Sequence, residues 1–177
     1  WRATMITALV AQVRRVLAEP QVGPHLPETA PPAGNIPKRS GELLVEDHGD
    51  GSTVIVTASD RSGLLADVAA LFALHRIQVR AARIWTEGEV AISVWEVAAT
   101  ELDPALLRQR LKTIIANRGM GQELVPAERS EETIPPEVLS HPGASTTASV
   151  LEIRSHDRLG LVHTVCQTLS GVGINIR

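Results

Sequence analysis

The sequence predicts an α+β fold made of one complete copy and one partial copy of the same strand–loop–helix unit. Three observations predict it. The phrase Asp60-Arg61-Ser62-Gly63-Leu64 returns as Asp157-Arg158-Leu159-Gly160-Leu161, each time after an apolar run and before a helical one. Laid over each other without a gap, residues 53–80 and 150–177 share Asp, Arg, Gly, Leu, Val, Ile and a closing Arg. Other pairs are apolar in both copies, such as Val56 with Ile153 and Phe72 with Leu169. The identities fall on the turn glycine, the polar loop and the core face, which is the signature of a duplicated structural unit. Finally, the apolar period switches repeatedly between strand-like and helix-like, giving the order β-α-β-β-α in the first copy.

The elements follow in chain order. Ile6, Leu9, Val10, Val13, Val16 and Leu17 recur at helical spacing, with Arg14 and Arg15 on the other face, and Glu19-Pro20 stops that helix. A lone amphipathic helix of this length is marginal in water, so residues 1–19 are expected to be the terminal helix of a preceding region. Residues 20–41 are rich in proline and glycine and read as a linker. Leu43-Leu44-Val45-Glu46 is a short strand candidate, and His48-Gly49-Asp50-Gly51 a turn. A strand over 54–58 leads through the 59–63 loop into a helix over 64–75, with Leu64, Leu65, Val68, Leu71 and Phe72 on one stripe. Two strands at 77–85 and 90–97 flank a hairpin turn at Glu87-Gly88. Asp103-Pro104 opens the next helix, since Asp caps free N–H groups and proline is tolerated in a first turn. Leu106, Leu107, Leu111, Ile114 and Ile115 supply its buried face, and Gly119 is its expected end.

A split β-α-β sheet needs a fourth strand. Residues 121–136 read as loop, and residues 137–141 are the expected closing edge. The second copy starts with a strand over 149–155, continues with a helix over 161–170, and reaches its second strand at Ile174. Its partner has further strands to come, so the chain is expected to be part of a larger protein. An unfinished sheet exposes an edge, and exchange between chains or disorder is expected after about residue 147.

Composition narrows the function. The 177 residues include one Phe, three Trp and no Tyr, which leaves no aromatic platform for stacking bases. A net charge of −3 without a basic run argues against a phosphate-driven partner. The lone cysteine, Cys166, makes no internal disulfide, in keeping with a reducing cytoplasm. No run of about 18 apolar residues exists to span a membrane.

The repeated loop carries the chemistry. A chain that leaves a strand, turns and enters a helix presents several unpaired N–H groups. Gly63, lacking a Cβ, lets a ligand approach that backbone. Such a corner suits a carboxylate, and Asp60 suits an ammonium group beside it, so a zwitterionic amino acid fits the pattern. The second corner repeats the offer with Asp157, Arg158 and Gly160. The structural alternative stays open: Asp60 as a helix cap and Arg61 paired with a neighbouring carboxylate.

A strand, then Asp-Arg-x-Gly-Leu opening a helix, then β-β-α, resembles the ACT domain, a small ferredoxin-like effector-binding module of βαββαβ order. Two such modules in tandem resemble the C-terminal region of the bifunctional uridylyltransferase/uridylyl-removing enzymes. The phrases that carry this are residues 53–63 with 71–80, residues 148–160, and Pro135-Pro136-Glu137-Val138 between the repeats. The implied organisation is a terminal catalytic-region helix at 1–19, a linker at 20–41, a first ACT domain at 42–142 and a truncated second one at 143–177. The resemblance implies glutamine as effector, the nitrogen-signal protein PII as partner of the parent enzyme, and ACT–ACT self-association. No cofactor is expected in this part, whereas the parent would use magnesium. Carried over residue by residue, the effector site comprises Asp60, Ser62, Gly63 and Gln78 from the first module and Asp157, Leu159, Gly160 and Asn175 from the second. Many ACT loops place proline where this chain has Ser62 and Leu159, so the two sites are expected to be unequal.

Other constellations are weaker. His156-Asp157 spells a metal-binding dipeptide but lies at a strand-to-loop corner without further ligands in sequence. Cys166 aligns with Ala69 on an apolar helix face and reads as core. No nucleophile motif, P-loop or paired catalytic carboxylate is present, so no catalytic residue is expected. A ligand-free alternative is an assembly module in which the sheet edges, with Trp85 and Trp95 on neighbouring strands, mediate dimerisation. A further alternative is an ACT module serving another amino-acid-controlled enzyme.

Overall fold

The computed structural model describes residues 2–18, 39–117, 135–141, 145 and 148–176. The linker expected at 20–41 falls mostly outside these residues, as do the loop expected at 121–136 up to residue 134 and the helix end at Gly119. The chain divides into two compact units. The larger comprises residues 33–126 and 159–177, the smaller residues 1–32 and 127–158.

In the larger unit, β1 (Leu43–Asp47), β2 (Ser52–Ser59), β3 (Val79–Glu87) and β4 (Val90–Val97) form an antiparallel sheet in the order β1-β2-β4-β3. Helices α2 (Leu64–Leu74) and α3 (Pro104–Ala116) pack with it, and α4 (Leu161–Gly171) lies against α2. (The helix of the smaller unit, first in the chain, is α1.) This is the α+β ferredoxin-like arrangement, with one correction to its strand order. The fourth strand is β1, before the first β-α unit, and not residues 137–141 after it. The β1–β2 hairpin is closed by the turn expected at 48–51, where His48 N donates to Gly51 O at 2.8 Å and Gly49 has φ 84°. A tight turn between two apolar runs places them side by side, so β1 occupies the edge of β2 before any later strand arrives.

The core explains the pattern of each element. Val54 and Val56 of β2, Trp95 and Val97 of β4, and Leu43 of β1 meet Leu64, Val68, Leu71 and Phe72 of α2 and Leu107, Leu111 and Ile114 of α3. Trp95 is fully buried and stacks obliquely on Phe72, with ring centroids 5.3 Å apart. Trp85 pairs in register with Ile92, whereas Trp95 pairs with Ala82, so the two indoles point to opposite faces of the sheet. Trp85 donates instead to Glu87, with Nε1 3.3 Å from Oε1. A docking surface built from both tryptophans is therefore ruled out.

Helix α2 buries more than one stripe. Ala66, Ala69, Ala70 and Ala73 are buried along with the large residues, because α4 covers what the sheet does not. Small side chains let two helices approach closely, and this is why the run is Ala-rich. Asp103 caps α3 as expected, accepting from Ala105 N at 2.8 Å and Leu106 N at 3.3 Å. Helices α2 and α4 end alike. Ile77 N donates to Phe72 O and Ile174 N to Leu169 O, both at 2.9 Å, after a residue of positive φ, Arg76 in one copy and Gly173 in the other.

In the smaller unit, α1 (Arg2–Ala18) packs on β5 (Glu137–Ser140), which pairs antiparallel with β6 (Leu151–Arg154). Met5, Leu9, Val13 and Val16 form its buried stripe, and Leu17 stays largely exposed. The Gln12 side-chain amide grips the β5 backbone from both sides. Its Nε2 donates to Pro136 O at 2.5 Å, and its Oε1 accepts from Val138 N at 2.8 Å. Beyond residue 147, β6 pairs with β5 and α4 lies against α2.

Candidate functional site

The repeated corners are built alike. Gly63 has φ 79° and ψ 5° at the start of α2, and Gly160 has φ 79° and ψ 8° at the start of α4. Each glycine sits in the left-handed region that side chains disfavour, and each accepts the first intrahelical bond, from Asp67 N at 3.1 Å and Thr164 N at 2.9 Å. The position capping α2 is thus held by Gly63 and not by Asp60. Asp60 is tied by its backbone N to Glu89 O of the β3–β4 hairpin at 2.9 Å, which fixes the loop to the sheet.

The corners differ in their side chains. In the first, Arg61 Nη2 pairs with Asp67 Oδ2 at 2.5 Å, and Asp67 is buried in the first turn of α2. Its counterpart in the second is Thr164, whose hydroxyl turns back to Gly160 O at 3.0 Å. The expected pairing of Arg61 with a neighbouring carboxylate is thus made to Asp67, and Thr164 has no charge to repeat it at that position.

Between the first corner and the end of α4 lies a recess of about 270 Å³, counting its open mouth. Asp60, Arg61 and Gly63 line one side, the start of α2 and Ile84 of β3 the floor, and Cys166, Ser170 and Asn175 the other side. Its enclosed depth has room for little more than a water, so a larger guest requires side chains at the mouth to move. Ser62 stands at the rim, its hydroxyl 3.4 Å from that of Ser170. Burial pushes the Cys166 thiol up to about 12, which keeps it protonated and unreactive.

Of the eight residues expected to bind an effector, Asp60, Gly63 and Asn175 line this one recess, and Ser62 adjoins it. Gln78 is exposed, and its carbonyl accepts from Ala98 N at 2.9 Å. Asp157 belongs to the smaller unit, whereas Leu159 and Gly160 lie half-buried in the larger one, and none of the three lines the recess. Arg61 and Ser170 were not expected there. The identity of Arg61 with Arg158 in the repeat was the signal for the first, and nothing local in sequence marks the second. Among the described residues no three His, Cys, Asp or Glu side chains come together as a metal site, and His156 is exposed. Nor is any described helix long and apolar enough to cross a membrane.

Comparison with known proteins agrees with this architecture. Residues 52–116 match the ACT domain family. The whole chain is 28% identical to the bifunctional uridylyltransferase/uridylyl-removing enzyme of Streptomyces coelicolor, of which it covers 28%. The enzyme of the same name from Mycobacterium tuberculosis is 27% identical over 99% of the chain and 25% of that protein. The one from Caulobacter vibrioides is 30% identical over 78% of the chain and 16% of that protein. The chain therefore spans about a quarter or less of the length of these relatives. No solved structure gives a significant match. The repeated glycine corners and ferredoxin-like sheet thus belong to a chain whose residues 52–116 match the ACT domain family and which is similar along its length to part of the bifunctional uridylyltransferase/uridylyl-removing enzymes.

Proposed function

We propose that the chain is the amino-acid-sensing part of a cytoplasmic uridylyltransferase/uridylyl-removing enzyme acting on PII in nitrogen regulation, with glutamine as effector. The observation that supports this most is the recess in which Asp60 and Gly63 of the first copy meet Asn175 of the second. Asp60 offers a carboxylate to the effector's ammonium group, and Asn175 offers an amide that both donates and accepts to the effector's own side-chain amide. A ligand held between two repeats favours the arrangement that closes on it, and only such a difference in affinity moves an equilibrium. A coupling of about 1–3 kcal/mol changes the balance of two opposed activities roughly 5–150-fold. Glutamine then biases the parent enzyme away from uridylyl transfer and toward uridylyl removal. Magnesium, in this reading, serves the parent's catalytic regions and not this one.

Isothermal titration of the intact protein with glutamine tests the reading. Saturable heat at millimolar concentration or below is expected, together with its loss in Asp60→Ala. Absence of heat and of any change in the transfer-to-removal ratio sinks it.

A further inference from the structure

Resting on the amino-acid-binding reading, we infer that Arg61 is the residue that takes the effector's carboxylate and thereby sets the requirement for a free amino acid. The two terminal nitrogens of the guanidinium differ: Nη2 is engaged by Asp67, while Nη1 is buried and has no hydrogen-bond partner. A buried donor of this kind calls for an acceptor, because a cation's N–H taken out of water and left unpaired is costly. Arg61 lines the recess beside Asp60, so a guest there meets a cation and an anion on adjacent residues. That is the charge pattern of a zwitterion with its carboxylate at Arg61 and its ammonium at Asp60. The buried Asp67 acts as a positioning residue, holding the fork by Nη2 so that Nη1 is left to meet a guest once side chains at the mouth move. The α2 backbone corner then shapes the recess without having to carry the anion.

The test compares glutamine with its α-carboxamide, glutaminamide, which keeps the ammonium and side chain but lacks the carboxylate. Titrated into the intact protein, glutamine is expected to bind about 10- to 100-fold more tightly than glutaminamide, the range of a charge-assisted hydrogen bond. In Arg61→Ala this preference should collapse to within about threefold, glutamine losing affinity and glutaminamide holding its own. Arg61→Lys, which keeps the charge beside Asp67 but not the fork, should retain only part of the preference, and it carries the test if Arg61→Ala does not fold. A preference unchanged in either folded variant overturns the role of Arg61 while leaving glutamine sensing intact. Equal binding of the two compounds by the unaltered protein also overturns it. No binding of either compound overturns both this role and the sensing reading.

Discussion

At the scale of single residues, the fold depends on a few positions where only one side chain fits. Gly51 is the sharpest. A Cβ built there drives into the Val97 carbonyl oxygen, and a backbone atom of β4 does not yield as a flexible side chain would. Gly51→Ala should therefore lower stability by about 1–3 kcal/mol, read as a fall in the denaturant midpoint without a change of slope. An unchanged midpoint means the β1–β2 hairpin gives way more easily than its packing implies. Gly63 and Gly160 are legible in sequence for a different reason. A glycine before an apolar helical run, repeated at the same place, marks a left-handed corner, and both have φ 79°. Arg61 is the counterexample: its type and repetition were visible, but its half-satisfied fork is set by Asp67 and the recess wall, which no local pattern reveals.

At the scale of elements, helices are more legible in the sequence than strand partners. The stripe of α3 and its Asp103 cap are properties of a dozen consecutive residues, so sequence alone suffices. Strands β1 and β5 each have two conceivable neighbours, and pairing is decided by which chain segment is nearest. The β5–β6 pair adds a charged ladder. Arg154 lies against Glu137 and Glu152, and His141 Nε2 lies 2.8 Å from Glu152 Oε2. The Arg154 hydrogen bond, and then that of His141, holds the Glu152 carboxyl below the ordinary 4.5. A carboxylate whose folded value is depressed stabilises the fold above its unfolded value, and the contribution fades as pH falls through the folded one. Glu152 is half-buried at the surface of the pair, so the effect is local. A carboxyl NMR titration should place its midpoint below 4.5, and Arg154→Ala should move it upward. A midpoint that stays put in the variant removes Arg154 as the cause.

At the scale of the whole molecule, the unit that carries the recess is assembled from distant parts of the chain. Helix α4 follows a long intervening segment yet lies on the alanine-rich side of α2, and the recess forms where the two helices and the first corner converge. Ala66 lines that recess and is buried. Ala66→Leu should cost about 1–3 kcal/mol by overpacking and should also abolish effector binding by filling the recess. Full binding in a folded Ala66→Leu protein places the effector elsewhere.

What the sequence determined by itself is whatever repeats or alternates along it: the duplicated corner, the helices and their caps, the hairpin turns and the α+β class. These follow from backbone preferences and apolar periodicity, which act over a few residues. The tertiary structure alone decided that β1 and not β5 closes the four-stranded sheet, that Trp85 and Trp95 face apart, and that only Asp60, Gly63 and Asn175 of the expected effector residues share one recess. Those outcomes depend on which surfaces meet, and burial between segments far apart in the chain is settled by the packing of the whole.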